Sequence, residues 1–343
     1  MARFPSAYEL LFSIFVFQYF SEPNATAAQR YNGNKLCWSV CPICHNNSTR
    51  IGVDDLKPFL FIHIPKTGGV SVELDIRNIA CPGPNYRKTN CFCSRSSAQF
   101  SRLFRGNWRY KGDINTYGIE DFRFFCGHVL WGMYPGFIEK YNPLQAVVLR
   151  DPIERTLSHW NMDGGFSYGF NNSRNYSFAA AYQISFKKFG WQQTLQHKRG
   201  AAVRNEHLVW LCGVHCNHHM NISQSLEIAK RNLLSTAIVG TQDDFSSLIA
   251  QFKAYLPWWP KNFTSFSHRN VRSSRRGAKQ VSINDLTTDQ LQHLRRFLWA
   301  DLELFALAKK LSHEKLDWIE SCPSMKSTTM ACGEWDPNYL CDE

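Results

Sequence analysis

Long apolar runs, acidic residues and internal repeats are what this 343-residue sequence has least of. No internal stretch approaches the ~20 apolar residues that a membrane-spanning helix needs, which excludes a multi-span membrane protein. No short period, collagen repeat or sustained heptad is present, which excludes a fibrous protein. The Walker order GxxxxGK(S/T) is missing, as is any clear Mg²⁺-binding carboxylate after a strand, and both argue against a nucleotide kinase or other NTPase. GxGxxG is missing at every strand–helix junction, which argues against a dinucleotide-dependent dehydrogenase. An Asp-x-Asp metal motif, usual in glycosyltransferases of oxidising compartments, is absent too. Acidic residues number 28 against 39 Lys+Arg, a net charge of +11. That balance points to an acidic partner and leaves nucleic acid, anionic glycan, nucleotide and membrane headgroups open.

Hydrophobic residues make up 44% and aromatics 14% of the chain, enough for a sizeable core. The 12 cysteines are even in number, and seven Asn-x-Ser/Thr sequons begin at Asn24, Asn46, Asn47, Asn171, Asn175, Asn221 and Asn262. Together they favour a lumenal or extracellular chain with disulfides and N-glycans, and they make nucleic acid an improbable partner by compartment. At the N-terminus Arg3 precedes the apolar run Leu10–Phe20 (LLFSIFVFQYF), which fits the core of a signal peptide. An uncleaved signal-anchor beginning near Phe4 fits as well, and Ala25–Ala28 offers a cleavage site. Cys41-Pro-Ile-Cys44, with Cys37 and His45, has metal-ligand spacing but no second CxxC at zinc-ribbon distance. Cys212-Gly-Val-His-Cys216-Asn-His-His219 is the other zinc candidate. In an oxidising context disulfides and exposed histidines are the favoured reading of both, and no metal is expected.

Three segments follow along the chain. Residues 1–56 read as signal peptide or signal-anchor plus a polar stem, 57–318 as one catalytic-size domain, and 319–343 as a tail carrying Cys322, Cys332 and Cys341. Within the domain, Phe59–Ile64 is a short run of β-formers, broken by Pro65-Lys66-Thr67-Gly68-Gly69 and followed by a helix over Ser71–Ile79. The pattern recurs at Ala146–Leu149, followed by a helix over Ile153–Trp160 with Pro152 in its first turn. A third strand is predicted at Thr236–Gly240, between helices at Ser223–Leu234 and Phe245–Leu256. Apolar residues at helical spacing continue over Thr287–Leu311. Strands alternating with helices predict an α/β fold, a mostly parallel sheet with helices on both faces.

The basic excess falls in three blocks. One lies between Asp75 and Asp113, the second between Gly164 and Asn205, and the third is His268–Lys279, which includes Arg275 and Arg276. A solvated face is the plain alternative for any one of them, whereas three blocks around an anion-binding loop predict a polyanion track.

The loop itself has the chemistry for phosphate or sulfate. Gly68 and Gly69 allow backbone N–H groups to wrap an anion at a helix N-terminus, Lys66 adds a mobile charge, and Thr67 and Ser71 add hydroxyls. The alternative is a tight glycine turn. In Val147–Trp160 (VVLRDPIERTLSHW), Arg150 sits at a strand's end and Ser158 eight residues on, a pair suited to grip a phosphate. The alternative there is an Arg–Asp ion pair in the strand–helix corner.

These two segments resemble the Golgi carbohydrate sulfotransferases that use 3′-phosphoadenosine 5′-phosphosulfate (PAPS). FIHIPKTGG (61–69) is similar to their 5′-phosphosulfate loop and 147–160 to their 3′-phosphate motif. Weaker matches at Arg204–Gly213, Ala237–Phe245 and Asp301–Phe305 extend the resemblance over roughly residues 57–315, with a look closest to the heparan sulfate 6-O- and 2-O-sulfotransferases. It implies a P-loop-type sulfotransferase domain, with PAPS held by Lys66, Thr67, Gly68, Gly69, Ser71, Arg150 and Ser158, joined by Arg275 and Arg276. The acceptor it implies is a hydroxyl of an anionic polysaccharide, in the Golgi lumen, on a type II membrane protein or a secreted one. Sulfuryl transfer to a sugar hydroxyl needs a base, and His128, at the end of the apolar run Phe124–Val129, is assigned that role beside Lys66. His63 is a less favoured base, and a core or capping histidine is the alternative for His128. The sequence departs from the family at Val70, where relatives carry Thr or Ser, and over Pro82–Arg109, which matches nothing in it. A catalytically silent glycan-binding protein on the same fold is the rival reading.

Overall fold

The structure is a computed structural model describing residues 58–80, 91–94, 110–111, 116–117, 124–132, 138, 142–163, 205–213, 216, 220–256, 258–267 and 281–321. All of them fall within one compact unit, Val40–Gly333. The N-terminal apolar run, the stem cysteines, Arg275, Arg276 and the tail cysteines lie outside the described residues, so the structure does not bear on them.

Five strands form the main sheet: β1 (Phe59–Ile62), β2 (Cys91–Ser94), β5 (Phe124–Gly127), β6 (Leu144–Leu149) and β7 (Ile238–Thr241). Their order is β2-β5-β1-β6-β7, and every neighbouring pair is parallel. A separate two-residue pair, β3 (Tyr110–Lys111) and β4 (Thr116–Tyr117), is antiparallel. The residues of β1, β5 and β7 are buried on both faces, as a parallel sheet covered by helices requires. The edge strand β2 arises from the unmatched stretch 82–109, which carries no strand signal in its sequence.

Helices α1 (Gly69–Ala80) and α2 (Pro152–Asp163) follow β1 and β6 directly. They are succeeded by α3 (Glu206–Cys212), α4 (Ile222–Leu234), α5 (Phe245–Tyr255), α6 (Thr288–Phe297) and α7 (Trp299–Ser321). One face of the sheet presents Phe59, Phe61, Phe124, Ala146, Val148 and Ile238 to Val72 and Ile76 of α1 and Leu248 and Phe252 of α5. Phe59 stacks on Phe124 with ring centroids 5.3 Å apart, a cross-strand aromatic pair on the parallel register Phe59↔Phe124. Elsewhere α2 packs Ile153, Leu157 and Trp160 against Leu294, Phe297 and Leu298, so α6 props the helix that carries Ser158.

The single helical stretch expected over Thr287–Leu311 is two helices, broken at Leu298. The side chain of Asn205 supplies the reason: its Nδ2 donates to the Phe297 carbonyl (3.2 Å) and its Oδ1 accepts from the Asp301 amide (3.1 Å). A polar side chain from about a hundred residues away thus satisfies the backbone groups that the break exposes. The last helix continues to Ser321, three residues past the domain end expected from the sequence. No helix among the described residues is long and apolar enough to cross a membrane.

Candidate functional site

The strand order fixes where a ligand can sit. From β1 the chain crosses to β2 on one side, and from β5 it passes over to β6 on the other. The reversal therefore falls at β1, so the carboxyl ends of β1, β5 and β6 form the switch point where open α/β sheets place ligands. Three of the motifs read from the sequence end there.

The loop after β1 turns sharply. Lys66 and Gly68 both have left-handed backbone, φ 71° and 84°, which costs a non-glycine residue roughly 1–2 kcal/mol. Two bonds hold the turn: the buried Thr67 hydroxyl donates to the Ile64 carbonyl (2.9 Å), and the Ser71 amide donates to the Gly68 carbonyl (3.0 Å). Thr67 is therefore committed to the loop's own backbone, and its hydroxyl proton is not directed at a ligand. A Cβ on Gly68 would press on Gln242 and Phe245, each at 3.1 Å, and one on Gly69 would overlap the His63 ring. Gly69 is thus required by space, and Gly68 by its φ together with the tight contact.

Arg150 leaves the end of β6 and reaches the loop. Its Nη1 donates to the Lys66 carbonyl at 3.5 Å, and its Nη2 and Nε face the Glu154 carboxylate at 3.2 and 3.4 Å. The corner ion pair expected as the alternative is therefore Arg–Glu. Asp151 is occupied differently: its Oδ1 accepts from the Ile153 and Glu154 amides (2.9 and 3.0 Å), capping α2, and Pro152 fills the first helical position. Glu154, Ser158 and Met162 recur every four residues and so share one face of α2. Glu154 touches Arg150, and the Met162 sulfur accepts from the Lys66 ammonium at 3.5 Å. Ser158 lies between them, one turn from each, on the face turned to the loop.

His128 follows β5, half-buried, and its ring meets His63 edge-on at 4.8 Å and Trp210 of α3 at 5.7 Å. Trp210 is fixed by its indole N–H, which donates to Glu206 (2.9 Å). His63 is 2% exposed and bonds through Nδ1 to Glu73 Oε2 at 2.8 Å, so it is not open to a substrate. Lys66, Thr67, Gly68, Gly69, Ser71, His128, Arg150 and Ser158 are thus brought to one corner. Arg275 and Arg276 lie outside the described residues, and the described residues on either side of them bond to α1 and α2. Ser267 donates through its amide and hydroxyl to Asp75 of α1, and Val281 exchanges two 2.9 Å bonds with the Asn161 amide of α2.

Sequence reasoning missed Glu73, Asp75, Asn161, Met162 and Gln242. Glu73, Asp75 and Asn161 read as solvent-facing in a helix pattern, and only the packing of α1 and α2 shows otherwise; Met162 is exposed, and Gln242 lies in the turn after β7. Behind the corner, Arg155, His207 and Asp301 are each fully buried. The Asp301 carboxylate accepts from the His207 and Leu208 amides (3.1 and 2.8 Å) and so caps α3. Burial pushes its carboxyl up to about 7, partly offset by the Arg155 charge and those amides. Burial, reinforced by Arg155, holds His207 well below the usual histidine range. This cluster joins the weakly matched segments 204–213 and 301–305 to α2.

Cys212 is joined to Cys216, and Cys126 is also disulfide-bonded. The zinc alternative at Cys212 and Cys216 is thereby replaced by a disulfide, since those sulfurs bond each other. Among the described residues no group of three or more His, Cys, Asp or Glu is placed to hold a metal ion.

A parallel α/β sheet with a glycine loop, Lys66 and Arg150 at its switch point is the P-loop-type arrangement expected from the sequence. The sequence model of the sulfotransferase family matches residues 49–308, about three-quarters of the chain, and the chain belongs to that family. A search of curated proteins returned no match.

Proposed function

We propose that the protein transfers a sulfuryl group from PAPS to a hydroxyl of an anionic polysaccharide, glycosaminoglycan-like and of the heparan sulfate 6-O or 2-O class. The observation that carries this reading is the bond from Arg150 Nη1 to the Lys66 carbonyl, which sets the 5′-phosphosulfate loop beside the 3′-phosphate motif. The donor set suits the nucleotide. Arg150 is engaged by an exposed i,i+4 pair with Glu154, worth only about 0.3–0.5 kcal/mol, and a phosphate offers the guanidinium a stronger, bidentate partner. Glu154 is unfavourable there, because its carboxylate must turn aside when phosphate binds.

In the reaction the acceptor oxygen forms a bond to sulfur while the bond from sulfur to the 5′-phosphate oxygen breaks. The electron pair leaves on that phosphate oxygen, giving the desulfated nucleotide, and the hydroxyl proton passes to the His128 imidazole. Lys66 offsets the negative charge gathering at the bridging oxygen. The basic blocks supply the polysaccharide track. Disulfides at Cys212–Cys216 and Cys126, and the exposure of sequon residues Asn221 and Asn262, support a lumenal site in the Golgi, membrane-anchored or secreted.

The test is transfer from radiolabelled PAPS to desulfated glycosaminoglycans, followed by disaccharide analysis. His128→Ala should cost roughly 10²- to 10⁴-fold in kcat and Lys66→Ala roughly 10²- to 10³-fold. Full activity in both variants overturns the site assignment. Thermal stabilisation by the desulfated nucleotide separates the enzyme from a silent glycan-binding protein, which would show none.

A further inference from the structure

We propose that the buried pair Glu73–His63 is a positioning unit that joins the anion loop to His128, so that one imidazole sets both the loop's shape and the base's placement. The proposal rests on the sulfotransferase reading above for what the loop and His128 do.

Both side chains are almost wholly withdrawn from water, Glu73 at 4% and His63 at 2% exposure. A buried polar pair is costly compared with two apolar side chains of similar volume, so its place in this core calls for a cause beyond stability. The bond between them fixes the ring. The 2.8 Å contact runs from His63 Nδ1 to Glu73 Oε2, and rotation of the imidazole would break it.

Held in this way, the ring touches two parts of the site. Its Cδ2–Nε2 edge lies under Gly69, the first residue of α1, where an added Cβ would come within 2.7 Å of Nε2 and closer still to Cδ2. The ring therefore occupies the space that any other residue at 69 would need, and it supports the loop from below. The ring also meets His128, edge-on at 4.8 Å. The backbone reinforces this contact: Ile62 is in register with Gly127, and the His63 amide donates to the Gly127 carbonyl at 2.9 Å. His128 thus packs edge-on against both His63 and the tethered Trp210. Glu73, on α1, reaches back across the loop to His63, the residue after β1, closing a ring of strand end, loop and helix.

Two measurements on the full chain test the unit. The first is calorimetric titration with 3′-phosphoadenosine 5′-phosphate. Gly69→Ala should weaken binding at least about tenfold, because its methyl collides with the ring, and His63→Ala should weaken it by a smaller factor. In the double variant the collision is gone, so it should bind more tightly than Gly69→Ala alone. Losses that simply multiply overturn the proposal.

The second measurement uses no nucleotide. Glu73→Gln keeps the size of the side chain but exchanges the carboxyl for an amide, and the imidazole NMR resonances of His128 should move in it and in His63→Ala while the backbone spectrum stays dispersed. Unmoved His128 resonances overturn the link between the pair and the base. A wild-type protein that fails to bind the nucleotide counts against the sulfotransferase reading, and the NMR arm still decides the pair.

Discussion

Arg150 and Arg155 stand five residues apart, one at the threshold of α2 and one inside its first turns, and their surroundings are opposite. The Arg150 side chain keeps 22% exposure and is held by a surface carboxylate and one long bond to the Lys66 carbonyl. Arg155 is 0% exposed; its Nη2 reaches Thr156 at 3.4 Å, and its charge acts on Asp301 and His207. A guanidinium with weak partners at the switch point can exchange them for a phosphate. One sealed behind the sheet cannot, and its work is to fix α2 against α3 and α7. The first gives the corner its chemistry, and the second keeps the helices that carry Ser158 and Trp210 in place.

The comparison breaks most sharply at Arg155. Arg155→Ala leaves the Asp301 carboxyl and the capped end of α3 without their buried cation, and it should cost about 3–5 kcal/mol in chemical denaturation. A loss below about 1 kcal/mol would show that the cluster does not hold the helices.

Asp301→Asn sharpens the same point through pH. Because the carboxyl is raised from 3.8 to about 7 in the folded protein, the folded state keeps a proton that the unfolded chain releases. Its contribution is complete below about pH 4 and disappears as pH rises through about 7. Denaturation midpoints followed from pH 4 to 8 should therefore fall further in the wild type than in the variant, whose amide does not titrate. Parallel curves would place the titration elsewhere.

Arg150→Ala should behave in the reverse manner. It removes charge-assisted bonds worth about 1.5–3 kcal/mol from nucleotide binding, roughly 10- to 100-fold in affinity, with folding stability changed by less than about 0.5 kcal/mol. Calorimetry and denaturation on one preparation measure both. A variant that unfolds but binds normally would reverse the roles given to the two arginines.

Much of the scaffold was legible because parallel strands buried on both faces carry unbroken apolar runs. Phe59–Ile62, Phe124–Gly127 and Ile238–Thr241 all do, and the glycine loop and Arg150 announced the ends of two of the strands. Other features left no local mark. The edge strand Cys91–Ser94 is short and gains its identity only by pairing with β5. The break at Leu298 is invisible in the apolar spacing, which runs on without interruption, because its cause is Asn205 arriving from far along the chain. Glu73 and Arg155 look like solvent-facing charges on amphipathic helices, and burial reverses that reading for both.

What the sequence determined by itself is the grammar of strand, anion loop and helix, together with the residue types a sulfotransferase needs, since these depend on neighbours a few positions apart. Adjacency was left to the tertiary structure. Strand pairing across about 65 residues brings His63 beside His128, and pairing across about 85 brings Lys66 beside Arg150. Burial then decides which charges face a ligand and which lock the helices, because a charge withdrawn from water must find its partner within the fold.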